Sequence, residues 1–203
     1  MKTRKKEKNV VVDRKFDFII PIIFIISMIW PIIIASTRYY IVAYSDDIIW
    51  IDWARTHGTN VIDIVTAKLG TGFRPMMNFW YALSYNLWGV EPRYYYLLNG
   101  ILFSGSMIFL YLIGKILYNK ITGVVAVSLY LYFDTSFILI SKINFIATIG
   151  ELFFITSAIY FSLNYLKNND TSSKFLAIIL SILAFLSKEP SLFSTVFVFT
   201  RFM

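Results

Sequence analysis

The sequence contains no cysteine and a single histidine, His57. The first absence excludes a disulfide framework, a thiolate nucleophile and any cysteine metal centre, and it leaves the redox compartment unreadable. The second excludes a zinc site built from several histidines. Charge is also scarce, at 15% of 203 residues, and only nine glycines and five prolines interrupt the chain. What fills it is apolar: 58% hydrophobic and 19% aromatic residues, with a mean hydropathy of +0.66. Those values lie well outside globular averages and argue against a water-soluble fold.

The apolar residues come in blocks. Uncharged runs of about 18 or more residues, the length that crosses a hydrocarbon layer of roughly 30 Å, alternate with short polar punctuation. The pattern predicts an all-α polytopic transmembrane helical bundle of about five or six membrane segments, with an extracytoplasmic loop that contains interfacial helices. A net charge of +7 invites a nucleic-acid reading, but seven of the 19 basic residues (Lys2, Arg4, Lys5, Lys6, Lys8, Arg14 and Lys15) precede the first apolar run. Clustered there, they read as a topology signal that holds the N-terminus of a multi-pass cell-membrane protein in the cytoplasm. Residues 1–15 are then a basic cytoplasmic leader, residues 16–203 a membrane domain, and residues 37–93 its extracytoplasmic loop.

The first run, Phe18 to Ala35, competes with a signal peptide because it follows basic residues and precedes small ones. It exceeds the usual apolar core of roughly 7 to 15 residues and lacks an A-x-A cleavage site, which favours an anchor. Further spans are expected over about Tyr95–Leu117, Ile121–Ile140, with Asp134 inside it, and Phe145–Leu166. The apolar run Phe175–Ser187 is short for a crossing, and Leu192–Phe199 begins a sixth segment. On this alternation the short inner loops carry Lys115, Lys120, Lys167 and Lys174, and the outer turns only Lys142 and Lys188. Charge bias and alternation agree. The sequon Asn169-Asp170-Thr171 falls on the cytoplasmic side, where it has no meaning.

Chemistry concentrates between the first two spans, which hold Asp46, Asp47, Asp52, Asp63 and Glu91 beside Arg55, Lys68, Arg74 and Arg93. Trp and Tyr crowd the same stretch, as at headgroup depth. Met76–Trp88 is expected as an interfacial helix with Met76, Phe79, Trp80, Leu83 and Leu87 on its apolar face, and Ile48–Trp53 as a shorter one. Asp46-Asp47 reads either as an N-cap for the latter or as a carboxylate that takes a proton from an incoming hydroxyl, its pKa raised by its neighbour and the low dielectric. Arg74 is either an anchor to lipid phosphate or a holder of a phosphorylated substrate. Lys142, Lys188 and Arg93 are further cations on that face. Asn99 and Glu151 lie within spans, where a polar group is costly; each marks either a functional site or a helix–helix hydrogen bond. His57, beside Gly58 in a polar loop, is expected at the surface.

The order of these features resembles the N-terminal part of GT-C fold glycosyltransferases, the class of protein O-mannosyltransferases and aminoarabinose transferases. The resemblance rests on an outer loop opening with Tyr44-Ser45-Asp46-Asp47, then Phe73-Arg74-Pro75 and Trp80, then Leu87-Trp88-Gly89-Val90-Glu91-Pro92 leading to Tyr96-Leu97-Leu98-Asn99, and finally Leu186-Ser187-Lys188-Glu189-Pro190. It implies a polyprenyl-phosphate-linked sugar as donor, a protein or glycolipid hydroxyl as acceptor, and inverting transfer at the outer face of the bilayer. Asp46 or Asp47 would be the base, Arg74 and Lys188 would meet the donor phosphate, and Glu189, Glu151 and Asn99 would belong to the substrate site. Members generally have more spans and often a soluble C-terminal domain, so the resemblance implies a truncated, incomplete or inactive form. Adjacent carboxylates bind Mg²⁺ or Mn²⁺ elsewhere, but two residues do not complete a divalent-cation site, and no cofactor is identified. A non-catalytic membrane protein would need no acid at 46 or 47, and a small transporter would use Glu151, Asp134 and Asn99 as a path.

Overall fold

A computed structural model describes residues 17–37, 45–68, 72–188 and 191; for Ser45, Asp46, Asp134 and Thr135 it describes the helical backbone alone. All regular structure among these residues is helical: α1 Ile19–Thr37, α2 Ser45–His57, α3 Val61–Thr66, α4 Pro75–Trp88, α5 Pro92–Leu117, α6 Lys120–Tyr132, α7 Asp134–Ile140, a 3-10 turn Ile143–Phe145, α8 Ile146–Asn168 and α9 Thr171–Ser187. Three segments are long and apolar enough to cross a bilayer: Ile19–Thr37, Pro92–Leu117 and Ile143–Asn168. The chain is a multi-pass helical membrane protein. The basic leader and the segment after Ser191 lie outside the described residues.

The bundle centres on α5, which packs against α1, α6 and α8, while α9 packs along α8. Without a hydrophobic drive between helices in lipid, small residues decide how closely they approach. A side chain on Gly100 of α5 would collide with Pro31 of α1. On α9 the buried face is Ser173, Ala177, Ser181, Ala184 and Ser187, small residues three or four apart. The outward faces keep large apolar side chains such as Ile25, Trp30, Ile121 and Phe175, as a lipid-facing surface requires.

Two expectations are corrected. The third apolar run is not one helix: it breaks at Phe133, and the Ser136 hydroxyl turns back to the Tyr130 carbonyl across the break. The fifth run is longer than its apolar stretch, because the polar residues Thr171–Lys174 form its first turn under an Asp170 cap that accepts from the Ser172 and Ser173 amides. A helix of 17 residues extends about 25 Å at 1.5 Å per residue. Asn169, with φ 53°, ends α8, so the sequon is the turn of an α8–α9 hairpin.

At the other end of α1, Asp17 is 8% exposed at its side chain and accepts from Lys115 Nζ at 2.6 Å and Tyr111 Oη at 2.8 Å, with Lys120 Nζ at 3.5 Å. This cluster clamps the start of α1 to the end of α5 and the start of α6. Burial on its own pushes the Asp17 carboxyl up, but the Lys115 and Tyr111 hydrogen bonds and the Lys115 charge outweigh it and hold the pKa at about 2.

Candidate active site

Helices α2, α3 and α4 pack together as a cap on the bundle, with α4 against α8 and α9. Polar side chains of α4 hold it together: Asn78 Nδ2 donates to the Ile64 and Ala67 carbonyls at 2.9 and 3.1 Å, and Asn86 Nδ2 to the Gly58 carbonyl at 3.0 Å. These bonds explain why the buried face of α4 is Met77, Asn78, Tyr81, Ala82 and Ser84, whereas Phe79 and Leu87 of the expected apolar face point outward. With Phe79 and Leu87 outward, the polar side chains are left to satisfy the backbone of α3 and the α2–α3 turn. Gly89, at φ 60° and ψ −130°, occupies backbone space that only glycine enters readily, and the tight turn it makes is sealed by Tyr95 Oη donating to its carbonyl at 2.7 Å.

α2 begins at Ser45, ahead of both acids. Asp46 and Asp47 therefore sit within its first turn, where the helix dipole favours negative charge, and are not the cap of a helix that starts at Ile48. Asp47 shares its face with Trp50, Ile51 and Ala54, at the i, i+3, i+4, i+7 spacing, and is 2% exposed, the most buried charged residue among those described. That stripe packs on α4, with Trp50 stacked on Tyr81 at 5.7 Å between ring centroids, and α2 also touches the 3-10 turn that leads into α8. Asp52 and Arg55 form an exposed pair on the opposite face. His57 is exposed and lies flat against Trp53.

The start of α8 collects the other residues. Lys188, which caps the end of α9, donates from Nζ to Thr148 Oγ1 at 3.1 Å. Thr148 and Glu151, one turn apart on α8, line a small cavity of about 180 Å³ with Tyr130, Leu139, Leu152 and Ile155. Trp80 reaches across from α4 to the same turn: its Nε1 stands 3.0 Å from where a Gly150 side chain would begin, and its ring stacks on Phe154. That indole N–H is buried and has no hydrogen-bond partner among the described residues.

Asn99 is 0% exposed and ties α5 to the residue before the 3-10 turn, donating from Nδ2 to the Lys142 carbonyl at 3.1 Å. The Lys142 ammonium lies 5.6 Å from the Phe145 ring centroid. Arg74 immediately precedes α4, half-buried, with Pro75 in the first turn. Arg93 is committed to Glu91 through two hydrogen bonds of 2.7 and 3.1 Å, and that guanidinium holds the Glu91 carboxyl below its ordinary range. Glu189 lies outside the described residues. Among the described residues no three of His, Asp and Glu converge as metal ligands.

The structure thus bonds Lys188 to Thr148, one turn from Glu151 on α8, and sets Asp47 on a helix that touches the turn between Lys142 and α8. Sequence reasoning missed the roles of Asp17, of Thr148 and of Gly150 under Trp80. The one signal for the last was a glycine beside an intramembrane acid. A family model described as dolichyl-phosphate-mannose-protein mannosyltransferase matches residues 73–203, more than half of the chain. That stretch includes Arg74, Asn99, Glu151 and Lys188 and begins after the acid pair. No curated protein and no solved structure matches.

Proposed function

Because the chain belongs to the dolichyl-phosphate-mannose-protein mannosyltransferase family, membrane glycosyltransferases of the GT-C type, we propose that it transfers a sugar from a polyprenyl-phosphate donor to an acceptor hydroxyl of a protein or glycolipid at the extracytoplasmic face, with inversion. The base is one of the pair Asp46 and Asp47. The observation that carries this reading is the burial of Asp47 on the inward stripe of α2, since an acid at 2% exposure is retained at a cost that a surface cap would not incur.

The chemistry follows from charge. The carboxylate takes the acceptor proton as the acceptor oxygen forms its bond to the anomeric carbon and the bond from that carbon to the phosphate oxygen breaks. The polyprenyl phosphate departs with the electron pair, so negative charge grows on the phosphate while the sugar passes through an oxocarbenium-like state. Cations fixed near the phosphate lower that barrier because they need no reorganisation as the charge develops. Arg74 and Lys188 serve there; Glu151, one turn from Thr148, orients the Lys188 ammonium. Aromatic residues of α4 hold the lipid carrier beside the acids. The N-terminus lies in the cytoplasm, in keeping with the basic leader.

The test is transfer of radiolabelled sugar from a polyprenyl-phosphate donor in membranes carrying the native chain, Asp46→Asn or Asp47→Asn. One of the two substitutions lowers the rate by roughly 10² to 10⁴, the usual contribution of a positioned base. Transfer by the native chain that neither substitution slows refutes the assignment, and no transfer by the native chain refutes the activity.

A further inference from the structure

Resting on that reading, we propose that Lys142 is a further cation for the donor phosphate and that Asn99 is the positioning residue that fixes it. Three features of the described residues lead there. Asn99 is 0% exposed inside α5, so it meets no substrate itself, yet it directs its amide to the Lys142 carbonyl at 3.1 Å, and its Oδ1 has no hydrogen-bond partner among the described residues. A buried amide inside a membrane helix is expensive, and here its one bond serves to hold the backbone of a single turn residue 43 positions away.

Lys142 is held a second way, by its ammonium packing 5.6 Å from the Phe145 ring centroid. A lysine that only anchors to headgroups keeps its rotamer freedom; this one has its backbone and side chain both constrained, which lowers the entropic cost of binding an anion.

Lys142 is also well placed. It lies four residues before Ile146, where α8 begins, while Lys188 bonds Thr148 in the first turn of the same helix. The two lysines therefore bracket the positive end of a 23-residue helix, whose dipole adds to their attraction for an anion. α2, which carries the acid pair, touches the turn between Lys142 and α8. A departing polyprenyl phosphate is a dianion, so a third cation beside Arg74 and Lys188 lowers its energy further.

The experiment measures binding of a short-chain polyprenyl phosphate and of the matching polyprenol to the purified full chain in nanodiscs, with excess phosphatidylglycerol as competitor. Lys142→Met is expected to weaken the phosphate about tenfold and leave the alcohol unchanged, and Lys142→Arg to restore it. Asn99→Ala is expected to weaken the phosphate in the native background and to add nothing in the Lys142→Met background. Four outcomes overturn the proposal: Lys142→Met without effect, equal loss of phosphate and alcohol, additive effects of the two substitutions, or competition by phosphatidylglycerol as strong as by the polyprenyl phosphate, which marks Lys142 as an ordinary headgroup anchor. Native chain that prefers the phosphate while Lys142→Met is silent refutes this inference alone. Native chain with no preference for phosphate over alcohol refutes it together with the donor proposed above.

Discussion

Asp17 offers the sharpest energetic test of the bundle. Its carboxyl drops from an ordinary 3.8 to about 2, and at about 1.4 kcal/mol per pH unit the native state gains about 2 kcal/mol from ionisation. Because the native pKa is the lower one, this stabilisation is complete above the ordinary carboxylate range and disappears as the pH falls through about 2. Asp17→Asn should therefore lose about 2 kcal/mol at pH 7, a loss moderated by the partial exposure of Lys115 and Lys120, and the gap between variant and native chain should close as the pH falls from 4 toward 2. Reversible unfolding in mixed detergent micelles, followed by tryptophan fluorescence, reads the difference. Glu91 and Asp170 are also held below their ordinary range, so the native acid limb has other contributors and only the native-minus-variant gap is diagnostic. An Asp17→Asn chain as stable as the native one at pH 7, or a gap that persists unchanged at pH 2, refutes the clamp between α1, α5 and α6.

Gly89→Ala should destabilise the chain by about 1 to 3 kcal/mol from backbone strain alone, since a methyl group there meets nothing within 4 Å; the same unfolding assay checks it, and a neutral result contradicts the turn geometry. Gly150→Leu drives a side chain into Trp80 and should cost about 1 to 3 kcal/mol, with a shift in tryptophan emission that Gly150→Ala largely spares. Lys188→Met should lower kcat/KM for the polyprenyl-phosphate donor roughly 10- to 100-fold by removing charge from the leaving group, while Lys188→Arg retains most of it; equal loss in both points to the helix end and away from the charge.

The bilayer made much of the architecture readable. Apolar runs such as Pro92–Leu117 announce themselves because a lipid-crossing helix must satisfy its backbone internally and cover itself in apolar side chains. Helix ends were less legible: Asp170 extends α9 through polar residues that a hydropathy reading leaves in the loop, and the Phe133-Asp134 break sits inside an otherwise continuous apolar run. In the cap, the inward stripe that Asp47 forms with Trp50, Ile51 and Ala54 is legible, since it follows from helical spacing once the helix starts at Ser45. The face of α4 was not, because Asn78 turns inward only to satisfy carbonyls of α3 that the sequence does not place beside it. Pairings such as Asp17 with Lys115, 98 residues apart, and Asn99 with Lys142 depend on which helices touch, and no local pattern encodes that.

The proposed transfer requires the acid pair and the basic residues Arg74, Lys142 and Lys188 to face the same aqueous compartment, and the absence of native cysteine makes this directly measurable. Single cysteines at exposed Thr59, in the turn between α2 and α3, and at Lys142 are predicted to react with a membrane-impermeant maleimide in intact cells, while cysteines at exposed Asn119 and Asn169 react only after the membrane is opened. Labelling of position 119 or 169 from outside, or protection of 59 or 142, would place the acids and lysines away from the extracytoplasmic face and contradict a shared site there.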